Sequence, residues 1–147
     1  MGIKGLLFGL CSAVLFGCDN CNDDCNPPLT ISLEVTNSAG KNLFAQPNPV
    51  LSFDSLKIIA VYAGFTDNVP VEFYEREGKT VITFFPGSSG IREHIVRYSS
   101  TESDTLEFAN YVYDKNECCS MVKHYDLQLN HQTYCTVCKD EIITIIK

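Results

Sequence analysis

Leu29-Thr30-Ile31-Ser32-Leu33-Glu34-Val35-Thr36 alternates apolar and polar side chains without a break. Successive side chains of an extended chain point to opposite faces. Leu29, Ile31, Leu33 and Val35 therefore share one face, and Thr30, Ser32, Glu34 and Thr36 the other. This is the pattern of a strand with one face in a core. Asn37-Ser38-Ala39-Gly40 follows, a run that favours a turn. Downstream, Leu56 to Tyr62 is apolar nearly throughout and is expected inside a sheet. Val69 to Tyr74 and Thr80 to Phe85 flank Glu75-Arg76-Glu77-Gly78-Lys79, whose length and glycine predict a hairpin. Glu93 to Tyr98, Thr105 to Val112, Met121 to Leu129 and Glu141 to Ile146 complete eight short strands. Residues 41–54, with Pro47 and Pro49, read as a long connection, and Pro86-Gly87-Ser88-Ser89-Gly90 as a loop. No segment shows the 3.6-residue apolar period of an amphipathic helix. The expected fold is all-β: an antiparallel β-sandwich of seven or eight strands, Ig-like or transthyretin-like.

Upstream of Leu29 the composition changes twice. Asp19-Asn20-Cys21-Asn22-Asp23-Asp24-Cys25-Asn26-Pro27-Pro28 is polar, and its two prolines oppose helix and strand alike. Before it, Lys4 precedes thirteen mostly apolar residues, Gly5 to Gly17. A spanning helix needs about 20 apolar residues, so this stretch matches the hydrophobic part of a cleaved signal peptide. Leu15-Phe16-Gly17-Cys18 resembles the lipobox of bacterial lipoproteins, in which a small residue precedes the cysteine that becomes the mature N-terminus. By that resemblance Cys18 carries thioether-linked diacylglycerol and an N-acyl chain. Each buried methylene contributes about 0.8 kcal/mol, so two or three chains hold firmly. The competing reading is an ordinary secretory signal cut near Gly17, with Cys18 free for a disulfide. The expected organisation is a signal peptide over 1–17, a lipidated acidic tether over 18–28 and a β-sandwich domain over 29–147.

Removal of 1–17 takes away only Lys4 among charged residues. Lys+Arg falls from 11 to 10 against 18 Asp+Glu, so the net charge moves from −7 to −8. Such a surface repels phosphate backbones, which argues against a nucleic-acid partner. It draws no anionic head groups either, so any membrane attachment falls to the lipid.

Of eight cysteines, Cys11 lies in the signal and Cys18 at the lipid site. Cys21, Cys25, Cys118, Cys119, Cys135 and Cys138 remain, an even set in an exported chain, where thiols oxidise. All six are disulfide candidates, and six cysteines allow 15 pairings. Adjacent Cys118 and Cys119 would reach across to Cys135 and Cys138, or back to the tether. Cys21 and Cys25 would bond each other or pin the tether to the domain. The alternative is a metal or thiol-exchange site built from Cys118, Cys119, His124, His131, Cys135 and Cys138, since thiolate and imidazole at close spacing suit zinc. Cys135-Thr136-Val137-Cys138 has the two-residue gap of redox motifs, but it sits in a β context without the following helix that such motifs use.

No nucleophile pattern is present. Pro86-Gly87-Ser88-Ser89-Gly90 lacks the Gly-x-Ser-x-Gly elbow, and no phosphate loop or cofactor motif occurs. His94, beside Ile95 and Val96, is expected at an exposed strand position. Glu72, Glu75, Glu77 and Glu93 read as solvated faces. Phe73, Tyr74, Phe84, Phe85, Tyr98, Tyr111 and Tyr113 could line a carbohydrate or peptide platform, although aromatics at strand spacing more often pack in cores or cross-strand pairs.

Asp19, Asp23 and Asp24 form a loose acidic run after Cys18. In several Bacteroidetes lipoproteins such a run directs export to the cell surface, while a plain solvated spacer has the same composition. Together with Asn37-Ser38-Ala39-Gly40-Lys41-Asn42-Leu43 and Ser103-Asp104-Thr105-Leu106, these features resemble the small lipoproteins of the Bacteroidetes. The resemblance implies a β-domain in the bacterial cell envelope, lipid-anchored in the outer membrane on its periplasmic face or at the cell surface. It brings no activity with it. The expectation is a non-enzymatic binding or structural module without a cofactor, whose partners are the membrane and an envelope protein or ligand.

Overall fold

The computed structural model describes residues 29–87, 92–115, 120–139 and 141–147. Among these, ten strands form two sheets, with one 3-10 turn at Phe53–Ser55. The strands are β1 (Ile31–Thr36), β2 (Lys57–Tyr62), β3 (Phe65–Val69), β4 (Val71–Arg76), β5 (Lys79–Phe84), β6 (Glu93–Arg97), β7 (Ser103–Lys115), β8 (Ser120–Leu129), β9 (Gln132–Cys138) and β10 (Ile142–Ile146). The smaller sheet runs β10-β1-β5-β4 and the larger β3-β2-β6-β7-β8-β9. Their facing sides form one apolar core. Ile31, Leu33, Val35, Ile82, Phe84, Ile143 and Ile145 come from one sheet, and Ile58, Val96, Leu106, Phe108, Tyr125 and Leu127 from the other. A β-sandwich is therefore what the alternation in β1 indicates.

Two strands exceed the expected eight. β3 and β9 are the two edges of the larger sheet. Every residue of β3 before Val69 is exposed, so no face alternates between core and water. Asp67 and Asn68 also have low strand propensity. In β9 only Cys138 is buried, and register shifts against β8 blur its period. The pairing is also not antiparallel throughout. β10 lies parallel to β1, from Ser32 opposite Ile142 to Thr36 opposite Ile146. The chain leaves β9 at the rim of one sheet and enters the other beside β1, running in the same direction.

Turn chemistry sets the registers. Ala63-Gly64, Glu77-Gly78 and Asn130-His131 each have positive φ at both positions, as two-residue hairpins with the native strand twist require. Gly64 and Gly78 adopt that geometry without a Cβ penalty. Asn37 closes the turn after β1, where its side-chain oxygen accepts the amides of Ala39 and Lys41. Pro70 alone separates β3 from β4, so the chain steps at one residue from the rim of the larger sheet to the rim of the smaller. On the opposite side the Tyr134 hydroxyl accepts the Thr144 amide at 2.9 Å. A side chain of one edge strand thereby satisfies a free amide of the other.

The two ends of the sandwich differ. At the near end lie Leu29, the β2–β3 hairpin, Phe85, Pro86, Arg92 and the far reach of β7 at Tyr113. This follows from Ile31 opposite Phe84, Tyr62 opposite Phe65, and the Pro86 carbonyl after β5 meeting His94 of β6 at 3.0 Å. At the far end lie the Asn37–Gly40, Glu77-Gly78 and Asn130-His131 turns and Lys147. The long connection expected at 41–54 plugs this end. Leu43 donates its amide to Val35, and Val50 and Leu51 donate theirs to Leu43. Asn42 donates to the Thr80 carbonyl at 2.8 Å and accepts the Phe44 amide at 3.0 Å. Phe44 is fully buried and packs against Phe53 and Phe73.

A charged clamp ties the two sheets there. Lys147 Nζ lies 2.6 Å from Asp104 Oδ2 and 3.4 Å from Glu102 Oε1, with its charge 4.5 Å over the Tyr98 ring. Asn130 donates to Asp104 Oδ1 at 2.7 Å, and the Lys147 amide donates to Thr36. Burial pushes the Asp104 carboxyl up, but the bonds from Asn130 and Lys147 and the lysine charge outweigh it and hold it below its ordinary value. Asp104→Ala should therefore cost about 2 kcal/mol at pH 7, because it leaves Asn130 without its acceptor and Lys147 with only the longer contact to Glu102. Urea midpoints measure this, and a loss equal to that of an exposed control such as Glu77→Ala would refute the clamp.

Candidate functional site

The cysteine–histidine cluster expected near the end of the chain is only partly within the described residues. Cys18, Cys21, Cys25, Cys118 and Cys119 lie outside them, as do the expected signal peptide and tether. Cys135 and Cys138 bond to each other, with Cα atoms 5.8 Å apart, and not to Cys118 or Cys119. The bond spans a place where β9 has one residue more than β8: Tyr125 pairs with Cys138, and Leu127 with Cys135. Val137 absorbs the extra residue at φ +62°, which is unusual for a β-branched side chain. Its amide donates to Asp126 Oδ1 at 3.1 Å. His124 lies on β8 opposite Val112, and His131 lies at the far-end turn against Glu107. The two histidines are thus separated along β8 and do not converge on the disulfide. Among the described residues, no group of three or more His, Cys, Asp or Glu side chains could hold a metal ion.

His94 is not at an exposed strand position. It is fully buried on the inner face of β6, opposite Ala60 and Leu106. Its ring lies between Phe84 and Phe108, at centroid distances of 5.4 and 5.3 Å. Because the Pro86 carbonyl can only accept, Nε2 carries the proton and donates to it at 3.0 Å. Nδ1 faces the core without a hydrogen-bond partner. Burial lowers the pKa from 6.5 to about 4 against the opposing pull of the Pro86 carbonyl. His94 therefore behaves as a neutral core aromatic at pH 7. The other wall of that core opens outward.

Over His94 and Pro86 the larger sheet extends past the smaller one and leaves a cleft of about 310 Å³. Ala60, Tyr62, Asp67, Asn68, Val69 and Pro70 form one wall, and Phe85, Pro86 and Gly87 the other. The lining is mostly apolar. The Tyr62 hydroxyl donates to Asp67 across the β2–β3 hairpin, and that bond and the carboxylate charge hold the phenol above its ordinary value. Phe65 packs 6.3 Å from the Tyr62 ring and is 68% exposed. The cleft is near the lower size of small-ligand sites. It offers apolar contact, two ring faces and one hydrogen-bonded carboxylate, with no nucleophile–base pair among its lining residues.

The aromatics proposed as a platform divide. Phe73, Phe84 and Tyr98 pack inside and Tyr111 is half-buried, whereas Tyr74, Phe85 and Tyr113 are exposed. Of these, Phe85 borders the cleft. Tyr62 and Asp67 carry no local pattern that would mark them, because the cleft joins the ends of strands distant in sequence. Glu72, Glu75 and Glu77 are exposed as expected, Glu93 is half-buried, and Glu75 accepts the Thr80 hydroxyl. No protein-family model, no curated protein and no solved structure matches this chain, so its chemistry must be read from its own residues.

Proposed function

We propose that this chain is a non-enzymatic, lipid-anchored binding or structural module of the bacterial cell envelope, held in the outer membrane through acylated Cys18. The observation that carries the reading is Leu15-Phe16-Gly17-Cys18, which closes a short apolar signal and opens a ten-residue polar tether into the first strand. The sandwich, Ig-like or transthyretin-like in this reading, is the carried domain, and the apolar cleft under Tyr62 and Phe85 is its ligand seat. The competing reading is a metal or thiol-exchange site between Cys118 and Cys138, and of these two metal binding needs Cys135 and Cys138 as free thiolates. Their mutual bond weighs against it.

Cys18→Ser tests the anchor. The native chain should partition with membranes into the detergent phase and carry diacylglycerol by intact mass. The variant should lose about two to three acyl chains of hydrophobic attachment and appear in the soluble fraction. An unchanged membrane fraction for Cys18→Ser would sink the reading.

A further inference from the structure

We infer that the near end of the sandwich, carrying Phe65, Phe85, Val112 and Tyr113, rests on the lipid bilayer, an inference that depends on the proposed anchor at Cys18. These four side chains are 68%, 47%, 41% and 37% exposed. They come from β3, the end of β5 and the outer reach of β7, so no single element accounts for their exposure. Register puts Phe65 beside Tyr62 and Phe85 just past Phe84, with Val112 and Tyr113 farther out on the same side along β7. The chain also enters the domain at that end, because Leu29 lies two residues before Ile31, which pairs with Phe84. The ten residues from Asp19 to Pro28 span at most about 35 Å when fully extended. A lipid on Cys18 would therefore tether the molecule from its near end.

The chemistry of the two ends agrees with that placement. Amphipathic rings and aliphatic side chains favour the head-group boundary. The far end exposes Val50 and Ile146 singly, and around them stand Lys41, Glu77, Lys79 and Glu102. Among the described residues, the charged groups at the near end include Asp67, Glu72, Arg92, Glu93, Lys123 and Glu141, of mixed sign, which suits an uncharged lipid surface better than an anionic one. The cleft opens on the same end, so acyl chain is the apolar material that its Phe85 and Tyr62 rings would meet. A surface too small to bind a bilayer alone becomes effective once the anchor raises its local concentration.

The chain contains no tryptophan, so a single introduced indole reports its own surroundings. The acylated full chain bearing Phe65→Trp, Phe85→Trp or, as a far-end control, Val50→Trp is reconstituted into phosphatidylcholine vesicles with bromines on the upper acyl chain. Quenching of at least about twofold is expected for Phe65→Trp and Phe85→Trp, with Val50→Trp essentially unquenched. Equal quenching at all three sites, or none at either near-end site in a chain that is acylated by mass and floats with the vesicles, overturns the inference and leaves the anchor standing. An unmodified Cys18 by intact mass overturns both.

Discussion

Phe44→Ala is expected to destabilise the domain by about 3–5 kcal/mol, the usual cost of removing a large aromatic side chain from a packed interior. Phe44 is fully buried, with Phe53 stacked at 5.5 Å and Phe73 at 6.1 Å. Its backbone is also committed, since its amide donates to Asn42 Oδ1 and its carbonyl shares the single Thr80 hydroxyl proton with Glu75. The surrounding strands cannot collapse into the vacated space without breaking those bonds. Val50, in the same connection but 65% exposed, should tolerate alanine to within about 0.5 kcal/mol. Urea midpoints of the two variants make the comparison. Near-equal values would show that the connection is a surface loop and not the plug of the far end.

Acid should weaken the fold through His94, in a window above that of the carboxylates. The unfolded chain binds the proton near 6.5 and the folded chain only near 4. Between those values the unfolded state holds more protons, so stability falls as pH falls, and it levels off for this group below about 4. The full difference corresponds to about 3 kcal/mol, of which about 2 kcal/mol appears between pH 7 and pH 5. Asp104 contributes lower down: its depressed value means that its stabilisation is present above the ordinary carboxylate range and is lost as pH drops through the folded value. His94→Leu removes the titration and keeps an apolar group between Phe84 and Phe108. It should unfold at a urea midpoint that changes far less from pH 7 to pH 5 than that of the native chain. Parallel slopes for the two would mean that His94 is solvated and its proton unimpeded.

The strands that could be read from residues alone are those with one face in the core. β1 shows this best, with Ile31, Leu33 and Val35 in the core and Ser32 and Glu34 on its other face, where Glu34 is covered as well and pairs with Lys79. β3 and β9 bury almost nothing, and without a buried face there is no period to detect. His94 was misplaced for a related reason. In Glu93-His94-Ile95-Val96-Arg97 the inward phase is His94 and Val96, while Ile95 points outward opposite Ile59 and Thr105. Two apolar neighbours in opposite phases conceal which phase is the core, and a histidine in the apolar phase looks like a surface residue. The long connection hid Phe44 similarly, because prolines mark irregular backbone and say nothing about burial. The cleft was not legible at all, since Tyr62 and Phe85 meet only through the stacking of two sheets. The cysteines offered many pairings, and the bulge at Val137 that brings Cys135 and Cys138 together depends on a local φ reversal that no composition rule signals.

The parallel pairing of β1 with β10 bears on time as well as shape. The first strand of the domain receives one of its two neighbours only when residues 142–146 arrive, and the charged clamp at Lys147 closes later still. Contacts between positions so far apart in sequence form late, because the loop between them must lose its freedom before the pairing returns anything. A chain of this topology remains incompletely folded through most of its synthesis.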